Sequence, residues 1–349
     1  MIRLRSESGF SLMELLVATS ILLIVSGVVT QALLQMTTSQ ATIWNRTEMH
    51  SGIRGATELL QQEVGQAGRL SMPVTMSLTN AVAKTGVCDY TSPGSFTATV
   101  GVTSKDASGN TVTSVPGIQT NGVYGNVNPL TFLFAAGGGS PSYELLTTMD
   151  GPAQETIKLA SVDAAGGTIT ACFGRDHAAN TVLMPLGAFA NGVIPNINVA
   201  NGSTASILKL FGDINGDGNL VYVEYKCDTV AGNLYRNVMA YNQTSKPALS
   251  NSNILLSNII PNPGGTPCFN YQSVTMTVQG TQFTFILDVS VTLTVQSEQI
   301  DPITKQKQTE TKALLNVSPR NIFNAWALAA LDFTDRIQST PVTVTALLP

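Results

Sequence analysis

Residues 213–224 carry the side chains best suited to binding a cation. They read Asp-Ile-Asn-Gly-Asp-Gly-Asn-Leu-Val-Tyr-Val-Glu, which matches the pattern of an EF-hand calcium loop throughout. Calcium takes about six to eight oxygen ligands, and alternate side chains of a tight loop can point to one centre. The pattern predicts a sharp turn at Gly218 and a ligand set of Asp213, Asn215, Asp217, the carbonyl of Asn219, and Glu224.

The segments on either side of this loop differ from those of an EF-hand. Residues 207–211 and 221–227 have the pattern of strands rather than helices, so calcium would lie at a β-hairpin. Val221 also offers no side-chain oxygen at the ninth position of the loop. The alternative is an ordinary Asp/Asn/Gly turn held by hydrogen bonds between side chains and backbone, and both hypotheses stay open.

Few residues in this chain are candidates for catalytic chemistry. The two histidines are His50, which we predict to be a polar residue on a helix surface, and His177. His177 closely follows Cys172, so a Cys/His site is conceivable, but we favour an exposed turn beside a disulfide cysteine. The glycine-rich run at 135–140 lacks the Gly-Lys-Ser/Thr ending of a phosphate-binding loop. We therefore predict that the chain is not an enzyme.

Four cysteines are spread widely along the chain, and no two of them form a C-x-x-C pair. Zinc binding and thioredoxin-like chemistry are therefore disfavoured. An even number of widely spaced cysteines favours two disulfides in an oxidising compartment. Four cysteines allow three pairings, and buried free thiols are the alternative. The disulfide candidates are Cys88, Cys172, Cys227 and Cys268.

The composition is typical of a secreted, β-rich protein. Charged residues make up 11% of the 349 residues, whereas about 25% is usual for soluble globular domains. The formal charge of -4 provides no basic stripe for phosphates, which argues against a nucleic-acid partner. A hydrophobic content of 43% is ample for the core of one large domain or of two small ones.

The N-terminus has the pattern of a membrane-spanning helix. Arg3 and Arg5 precede an apolar stretch, and no charged residue occurs at 15–44. About 20 apolar residues in a helix span a bilayer core, and the positive-inside bias places the N-terminus in the cytoplasm. A secretory signal peptide fits poorly, because the stretch is too long and no A-x-A site ends it. A plain anchor does not explain Glu14, because a lone carboxylate in an apolar helix is unfavourable without a partner.

These residues resemble the N-termini of type IV prepilins. In that family a short basic leader ends in Gly, and Phe and a nearby Glu follow. Here Gly9 precedes Phe10, and Glu14 is the fifth residue counted from Phe10. The resemblance implies that a prepilin peptidase cuts after Gly9 and methylates the amine of Phe10, and that Glu14 pairs with a Phe10 amine as subunits pack. The acidic Glu7 departs from the basic leader of the family.

The predicted fold class is α+β, with a long N-terminal helix packed on a mostly antiparallel β-sheet head. An amphipathic half of the helix is predicted from apolar residues at spacings of three and four, namely Ile53, Ala56, Leu60, Val64 and Ala67. It is expected to stop near Leu70, because Pro73 follows. The predicted boundaries are a leader at 1–9, a transmembrane helix at 10–35, an amphipathic continuation at 36–70, a β-rich head at 71–320 and an extension at 321–349.

Alternation of apolar and polar residues places the clearest strand at 283–295, where every odd-numbered residue is apolar. Its length predicts a bend or bulge, and a turn near Asp301 should return the chain to a partner strand at 309–317. We expect long loops or weak strands at 92–127 and 186–204. Further strands are predicted at 130–134, 156–160, 168–173, 207–211, 221–227, 234–241 and 273–278.

The extension at 321–349 is expected to form a short helix followed by an extended tail. We favour a tail that covers a sheet edge, and an exposed docking patch is the alternative.

Part of the head carries a second set of characteristic residues. Residues 211–219 read Phe-Gly-Asp-Ile-Asn-Gly-Asp-Gly-Asn, Val-Glu-Tyr occupies 223–225, and Leu-Tyr-Arg occupies 234–236. This arrangement is similar to the head of minor pilins of the PilW type, in which an Asp/Gly-rich turn leads into paired strands. Ser-Pro-Arg-Asn at 318–321 is similar to the end of their sheets.

The resemblance implies a structural minor pilin of a type IV pilus that acts in initiation or at the tip. Its partners would be other pilins, a prepilin peptidase, the inner membrane and the pilus assembly machinery. The head would be periplasmic before assembly and part of an extracellular pilus afterwards. The alternatives are a minor pseudopilin of a type II secretion system and a calcium-dependent adhesive module on a pilin anchor, with Ca²⁺ as the candidate cofactor.

Overall fold

The structure is a computed structural model that describes residues 11–72, 74–88, 96–116, 126–133, 145–197, 199–241, 243, 245–278, 280–340 and 342–347. The fold class is α+β, as predicted, with a long N-terminal helix followed by a mostly antiparallel β-rich head. The chain divides into one unit of residues 1–52 and 295–310 and a second unit of residues 53–294 and 311–349. The five segments expected from the sequence stay predictions.

The helices are α1 Leu12–Gln66, α2 Arg320–Ala329 and α3 Val342–Thr345. The strands, in chain order, are β1 Thr75–Leu78, β2 Ala98–Lys105, β3 Val115–Pro116, β4 Asn126–Val127, β5 Leu145–Thr148, β6 Thr156–Asp163, β7 Thr168–Ala171, β8 Val182–Pro185, β9 Ala188–Phe189, β10 Ile207–Gly212, β11 Val221–Asp228, β12 Asn233–Ala240, β13 Ile254–Ser257, β14 Ile259–Ile260, β15 Phe269–Val278, β16 Thr281–Gln296, β17 Thr309–Val317 and β18 Ile337–Gln338.

The first part of α1 exposes its apolar side chains. The large apolar residues at 12–36 are exposed, and none of the most apolar window of the helix is buried. Hydroxyl groups in this part donate to carbonyl oxygens one turn earlier, Ser20 to Leu16 at 2.8 Å and Thr30 to Ser26 at 2.8 Å. These bonds satisfy the hydroxyl groups without water, so Ser and Thr are tolerated in an apolar helix.

The same unit contains the turn predicted near Asp301. Its carboxylate accepts hydrogen bonds from the backbone amides of Ile303 at 2.7 Å and Thr304 at 2.8 Å. The imidazole of His50 is 61% exposed, which confirms its predicted surface position, and its Nδ1 lies 2.7 Å from a carboxylate oxygen of Glu310. The Asp301 carboxylate is buried and holds the turn through backbone amides, whereas the His50 contact joins two side chains.

The second part of α1 packs on the head through the predicted stripe. Its apolar residues are all buried, namely Ile53, Ala56, Leu60, Val64 and, just beyond the helix, Ala67. Glu63 is also buried, which the sequence did not predict. Its carboxylate accepts hydrogen bonds from the hydroxyl of Tyr225 and the guanidinium of Arg236. Apolar packing and a polar contact therefore both hold α1 on the head.

Helix α1 ends at Gln66, a little before the expected stop near Leu70. Gly68 follows with a φ of +74°, a left-handed conformation in which glycine carries no steric penalty. Its backbone N–H donates to the carbonyl of Phe211 at 2.8 Å. A Cβ at position 68 would lie 2.6 Å from a side-chain carbon of Ile322. Close packing at the glycine therefore fixes the helix end.

Six strands form a closed barrel in the order β1-β2-β7-β6-β5-β8, with every pairing antiparallel. In β6, Ile157 and Leu159 are buried and the residues between them are partly exposed, which is the alternation expected of a barrel strand. The described core of the barrel contains Val74, Met76, Leu78, Val82, Val115, Leu130, Leu146, Ile157, Leu159, Ile169, Ala171, Phe173 and Leu183. The sequence did not predict a barrel.

The chain enters and leaves the barrel at neighbouring points. Arg69, which follows α1, forms an antiparallel bridge with Ala188, which follows the last barrel strand. The backbone N–H of Phe189 also donates to the carbonyl of Gly68 at 2.9 Å. The barrel is therefore an insertion whose two ends lie together just after the C-terminal end of α1.

Two further sheets complete most of the head. One has the order β10-β11-β12-β13, with antiparallel pairings throughout. In the other, β16 pairs with β15 and also with β14 and β17. The odd-numbered residues at 283–295 are all buried, as predicted. The predicted bulge is present, because the register shifts where Gln272 faces Asp288 and Ser273 faces Ile286.

Some predicted elements differ from the structure. The strand predicted at 130–134 is wrong for its described residues, because Pro129–Leu133 form a 3-10 helix; residue 134 lies outside the described residues. Proline cannot donate a ladder hydrogen bond, which disfavours a strand there. The segment at 92–127, expected to hold loops or weak strands, contains the eight-residue β2.

The C-terminal region packs into the head. The predicted short helix is present as α2, which buries Ile322, Ala325 and Ala329. The predicted extended tail is replaced by β18, which pairs in parallel with β9, and by α3. Val344 and Leu347 belong to a buried cluster that also contains Phe189, Ile194, Phe211, Leu220, Tyr222 and Met239. These described residues of the tail are therefore part of the core.

Candidate functional site

Glu14 lies in the first turn of α1, and its side chain is exposed. The N-terminal end of a helix dipole favours a carboxylate there. The residues that follow are uncharged up to Arg46. Within the described residues, α1 is the helix that is long and apolar enough to cross a membrane. Gly9 and Phe10, the predicted cleavage and methylation positions, lie outside the described residues.

The turn at 213–219 is held by its own aspartates. One Asp213 oxygen accepts from the amide of Asp217 at 3.0 Å, and the other lies 3.5 Å from Nε of Arg69. Asp217 accepts from the amide of Asn219 at 2.9 Å, and this bond lowers the pKa of the Asp217 carboxyl. Asn215 is exposed. The guanidinium of Arg69 therefore already supplies a positive charge to the buried Asp213.

Glu224 is not brought to this turn. It lies within β11, directly opposite Lys209 in β10 and Asn237 in β12. Lys209 precedes Asp213 by four residues, which corresponds to about 13 Å along a strand at about 3.3 Å per residue. Glu224 instead accepts a hydrogen bond from the Tyr222 hydroxyl at 2.7 Å and pairs with Lys246 at 3.0 Å. The pairing of β10 with β11 therefore holds Glu224 several residues along the strands from the turn.

Calcium binding stays a prediction. In the part of the chain that the structure describes, no group of three or more His, Cys, Asp and Glu side chains is arranged to hold a metal ion. Asp213, Asn215, Asp217 and the Asn219 carbonyl remain together in one turn, as the sequence predicted. Any calcium site would have to be built from these oxygens and from water, without Glu224.

The N-terminal segment was compared with known protein families. Residues 4–30 match the family described as the prokaryotic N-terminal methylation motif. The chain has the N-terminus of a type IV pilin-like protein. The match covers only a small part of the 349 residues. No curated protein and no solved structure matches the chain.

This pilin-like N-terminus has consequences for processing and location. The motif implies cleavage by a prepilin peptidase and assembly with other pilins. Together with the exposed apolar part of α1, it supports membrane anchoring before assembly into a surface pilus. The motif belongs to structural subunits rather than to enzymes. Glu14 lies within the matched residues, at the start of the described helix.

The head contains two disulfides, as predicted. Cys88 pairs with Cys172, and Cys227 pairs with Cys268. The first disulfide fastens the segment after β1 to the residue that follows β7, both in the barrel region. The second joins β11 to the residue before β15, and so connects two sheets. Because Cys172 is oxidised, it offers no thiolate for a Cys/His site.

The prediction that His177 lies in an exposed turn is wrong. Its imidazole is fully buried, with Nδ1 2.7 Å from Asp150 and Nε2 2.8 Å from Glu155. Glu155 also accepts from the amide of Gly174 at 2.9 Å. The edge of the imidazole packs against Phe173, with ring centroids 5.7 Å apart. These contacts satisfy both ring nitrogens of the buried imidazole, and no local pattern in the sequence predicts them.

Proposed function

We propose that this chain is a minor pilin, a structural subunit of a type IV pilus. It is cleaved after Gly9, methylated at the amine of Phe10, and assembled through α1 at pilus initiation or at the tip. The observation that supports this most strongly is a methylation motif at 4–30 that continues into a helix with exposed apolar side chains at 12–36. Such a surface needs a bilayer first and neighbouring helices afterwards.

Glu14 has a specific role in this proposal. An exposed carboxylate at the edge of an apolar helix is costly inside a membrane unless a cation neutralises it. Cleavage after Gly9 creates such a cation, the amine of Phe10. Pairing of Glu14 with the Phe10 amine of a neighbouring subunit would remove both unpaired charges as the helices pack.

The two disulfides support a head that folds outside the cytoplasm, because disulfides persist in oxidising compartments. Arg3 and Arg5 support a cytoplasmic N-terminus by the positive-inside bias. A head that contains both a barrel and separate sheets supports a minor role, since the resemblance implies that major pilins are much smaller.

The first experiment expresses the full chain with and without a prepilin peptidase and determines the N-terminus by mass spectrometry. We expect a chain that begins at N-methylated Phe10 only when the peptidase is present. A chain that keeps Met1, or one cut near residue 32, would contradict the proposal.

A second experiment tests assembly separately from cleavage. Glu14→Gln should be cleaved and inserted normally, yet should be largely lost from sheared surface pili. Glu48→Gln is the matched control, because Glu48 is an exposed carboxylate of the same helix outside the matched motif. Equal recovery of both variants in pili would contradict the role of Glu14.

The alternative is a minor pseudopilin of a type II secretion system, which the N-terminal motif fits equally well. Deletion of the gene separates the two. Loss of surface pili with normal protein secretion supports the minor pilin, whereas loss of secretion with normal pili supports the pseudopilin.

A further inference from the structure

A cluster of buried amine, amide and carboxylate side chains lies beside the tail. Asn201 is 1% exposed, Lys209 is 6% exposed and Glu224 is 8% exposed. Tyr222 is also buried, and the side chain of Lys246 is 7% exposed. We call these five residues the amine cluster. It combines two amines with a single carboxylate in the core of the head.

The amide of Asn201 is at the centre of the amine cluster. Its Oδ1 accepts from Nζ of Lys209 at 2.8 Å and from Nζ of Lys246 at 2.7 Å. Its Nδ2 donates to the carbonyl of Val344 at 2.9 Å and to the hydroxyl of Tyr222 at 3.2 Å. These four contacts fix the amide plane. Two amine donors on one oxygen also polarise the C=O bond and make Cγ more electrophilic.

The two amines differ in their surroundings. The amine of Lys246 lies 3.0 Å from a carboxylate oxygen of Glu224. Within the described residues, no carboxylate lies within ion-pair distance of Lys209. Burial lowers the pKa of Lys209 to about 8, and the charge of Lys246 lowers it too, while Glu224 raises it. At pH 7 about a tenth of such amines are neutral nucleophiles.

We propose that Nζ of Lys209 attacks Cγ of Asn201 to form an intramolecular amide cross-link. The Nζ–Cγ bond forms, the Cγ–Nδ2 bond breaks, and Nδ2 leaves as ammonia. A proton lost from Nζ ends on the departing ammonia. No oxidant, reductant or other reactant is consumed. The attack requires Nζ to move only from Oδ1 to the carbon bonded to it.

The other members of the amine cluster stabilise the developing charge and transfer the proton. Lys246 stabilises the negative charge that develops on Oδ1 during the attack, as an oxyanion-hole donor does. Glu224 lies directly opposite Lys209 in the paired strands, and the Tyr222 hydroxyl connects the Glu224 carboxylate to Nδ2. It can therefore accept the proton from one nitrogen and return it to the other. The low exposure of the cluster keeps competing water away from Cγ.

The test is a peptide map of the full chain, purified in detergent. Trypsin cleaves after Arg175, Lys209 and Lys226, and no Lys or Arg lies between these residues. The cross-link removes the cleavage site at Lys209, so the expected product is one peptide spanning 176–226. It should be lighter than its sequence mass by one ammonia. It should also give no fragment ions from cleavage within 201–209, because the link closes that loop.

Three results would overturn the proposal. A separate peptide 176–209 at full mass would mean that no bond forms. The same peptide lacking one ammonia would mean that Asn191 or Asn201 had cyclised onto the backbone nitrogen of the glycine that follows it, a reaction common to Asn-Gly sequences. A branched peptide that contains Lys246 would assign the bond to the other amine.

Variants test the roles assigned to single residues. The peptide map of the wild-type chain decides whether the cross-link forms, even if a variant fails to fold. Lys209→Arg should release peptide 176–209 at full mass. The matched control Lys226→Arg replaces a surface lysine of β11 and should keep the ammonia loss. Glu224→Gln should lower the cross-linked fraction after a short synthesis pulse by about 100-fold, as expected for a lost general acid–base group. An unchanged fraction in Glu224→Gln would contradict its role in proton transfer.

Discussion

Glu63 of α1 and Arg236 of β12 form a buried ion pair that fixes the helix to the sheet β10-β11-β12-β13. Nε of Arg236 lies 3.1 Å from one carboxylate oxygen and 3.2 Å from the other. The hydroxyl of Tyr225 donates to the same carboxylate. Burial and the charge of Glu63 raise the pKa of that hydroxyl, so it remains a donor. The Tyr of Val-Glu-Tyr and the Arg of Leu-Tyr-Arg both contact this glutamate.

Glu63→Ala should destabilise the head by about 3 kcal/mol, because it leaves Arg236 and the Tyr225 hydroxyl without a partner in a largely buried site. This is the low end of the usual range, since the Arg236 side chain is 27% exposed. Thermal unfolding of the detergent-solubilised full chain measures the loss. Glu58→Ala is the control, because its i,i+4 pair with Arg54 is exposed and should contribute about 0.5 kcal/mol or less. Equal losses in both variants would contradict the buried pair.

Removal of either disulfide should destabilise the head by about 4 kcal/mol by the chain-entropy relation. The sequence separations are 41 for Cys227–Cys268 and 84 for Cys88–Cys172, so the second loss should be slightly larger. Paired Cys→Ser variants and thermal unfolding measure both. Non-reducing peptide mapping checks the connectivity, and any Cys88–Cys227 or Cys172–Cys268 peptide would contradict it.

Leu347→Ala should destabilise the head by about 3 kcal/mol, because it removes a buried side chain from the cluster around Phe211 and Tyr222. Leu331→Ala, in the same C-terminal region, is the control. Leu331 is 68% exposed, so its loss should change stability by less than about 0.5 kcal/mol. Denaturant unfolding of both variants decides whether the tail is core or an independent docking patch. A loss at Leu347 as small as that at Leu331 would favour the docking patch.

The calcium hypothesis now makes a sharper prediction. Binding at the turn should raise the unfolding temperature when calcium is added, and Asp217→Asn should remove that rise. Glu224→Gln should keep it, because Glu224 lies in β11 among the amine cluster. Unfolding temperatures measured at increasing calcium concentration check this for the wild-type chain and for both variants. Loss of the calcium response in Glu224→Gln as well as in Asp217→Asn would show that the twelve-residue pattern has the right ligand set.

The sequence predicts elements whose side chains repeat at a regular period. The buried stripe of α1 and the strand at 283–295 are long enough for their periods to stand out. The barrel was missed because β1, β5 and β8 have only four residues each, too few to distinguish alternation from chance. A pattern of short strands separated by loops gives little local signal, and closure depends on pairings distant in sequence.

Prediction of the candidate site from the sequence is limited in the same way, because contacts between distant residues leave no local pattern. The aspartates of the turn at 213–219 were predicted correctly as neighbours because they lie within one short loop. Glu224 lies in a strand that has already begun at Val221, which spacing in the sequence cannot show. The burial of His177 depends on Asp150 and Glu155, which reach it from other strand ends. Contacts of this kind depend on the tertiary fold, and no periodic pattern of apolar residues in the sequence predicts them.

The bridge between Arg69 and Ala188 makes the barrel replaceable. Because the chain returns to its starting point, lengthening, shortening or exchanging the barrel leaves the ends that the remainder must join unchanged. Each part also keeps its own disulfide, Cys88–Cys172 in the barrel and Cys227–Cys268 outside it. The barrel can therefore change in length or sequence while the sheet that packs on α1 keeps its own connections.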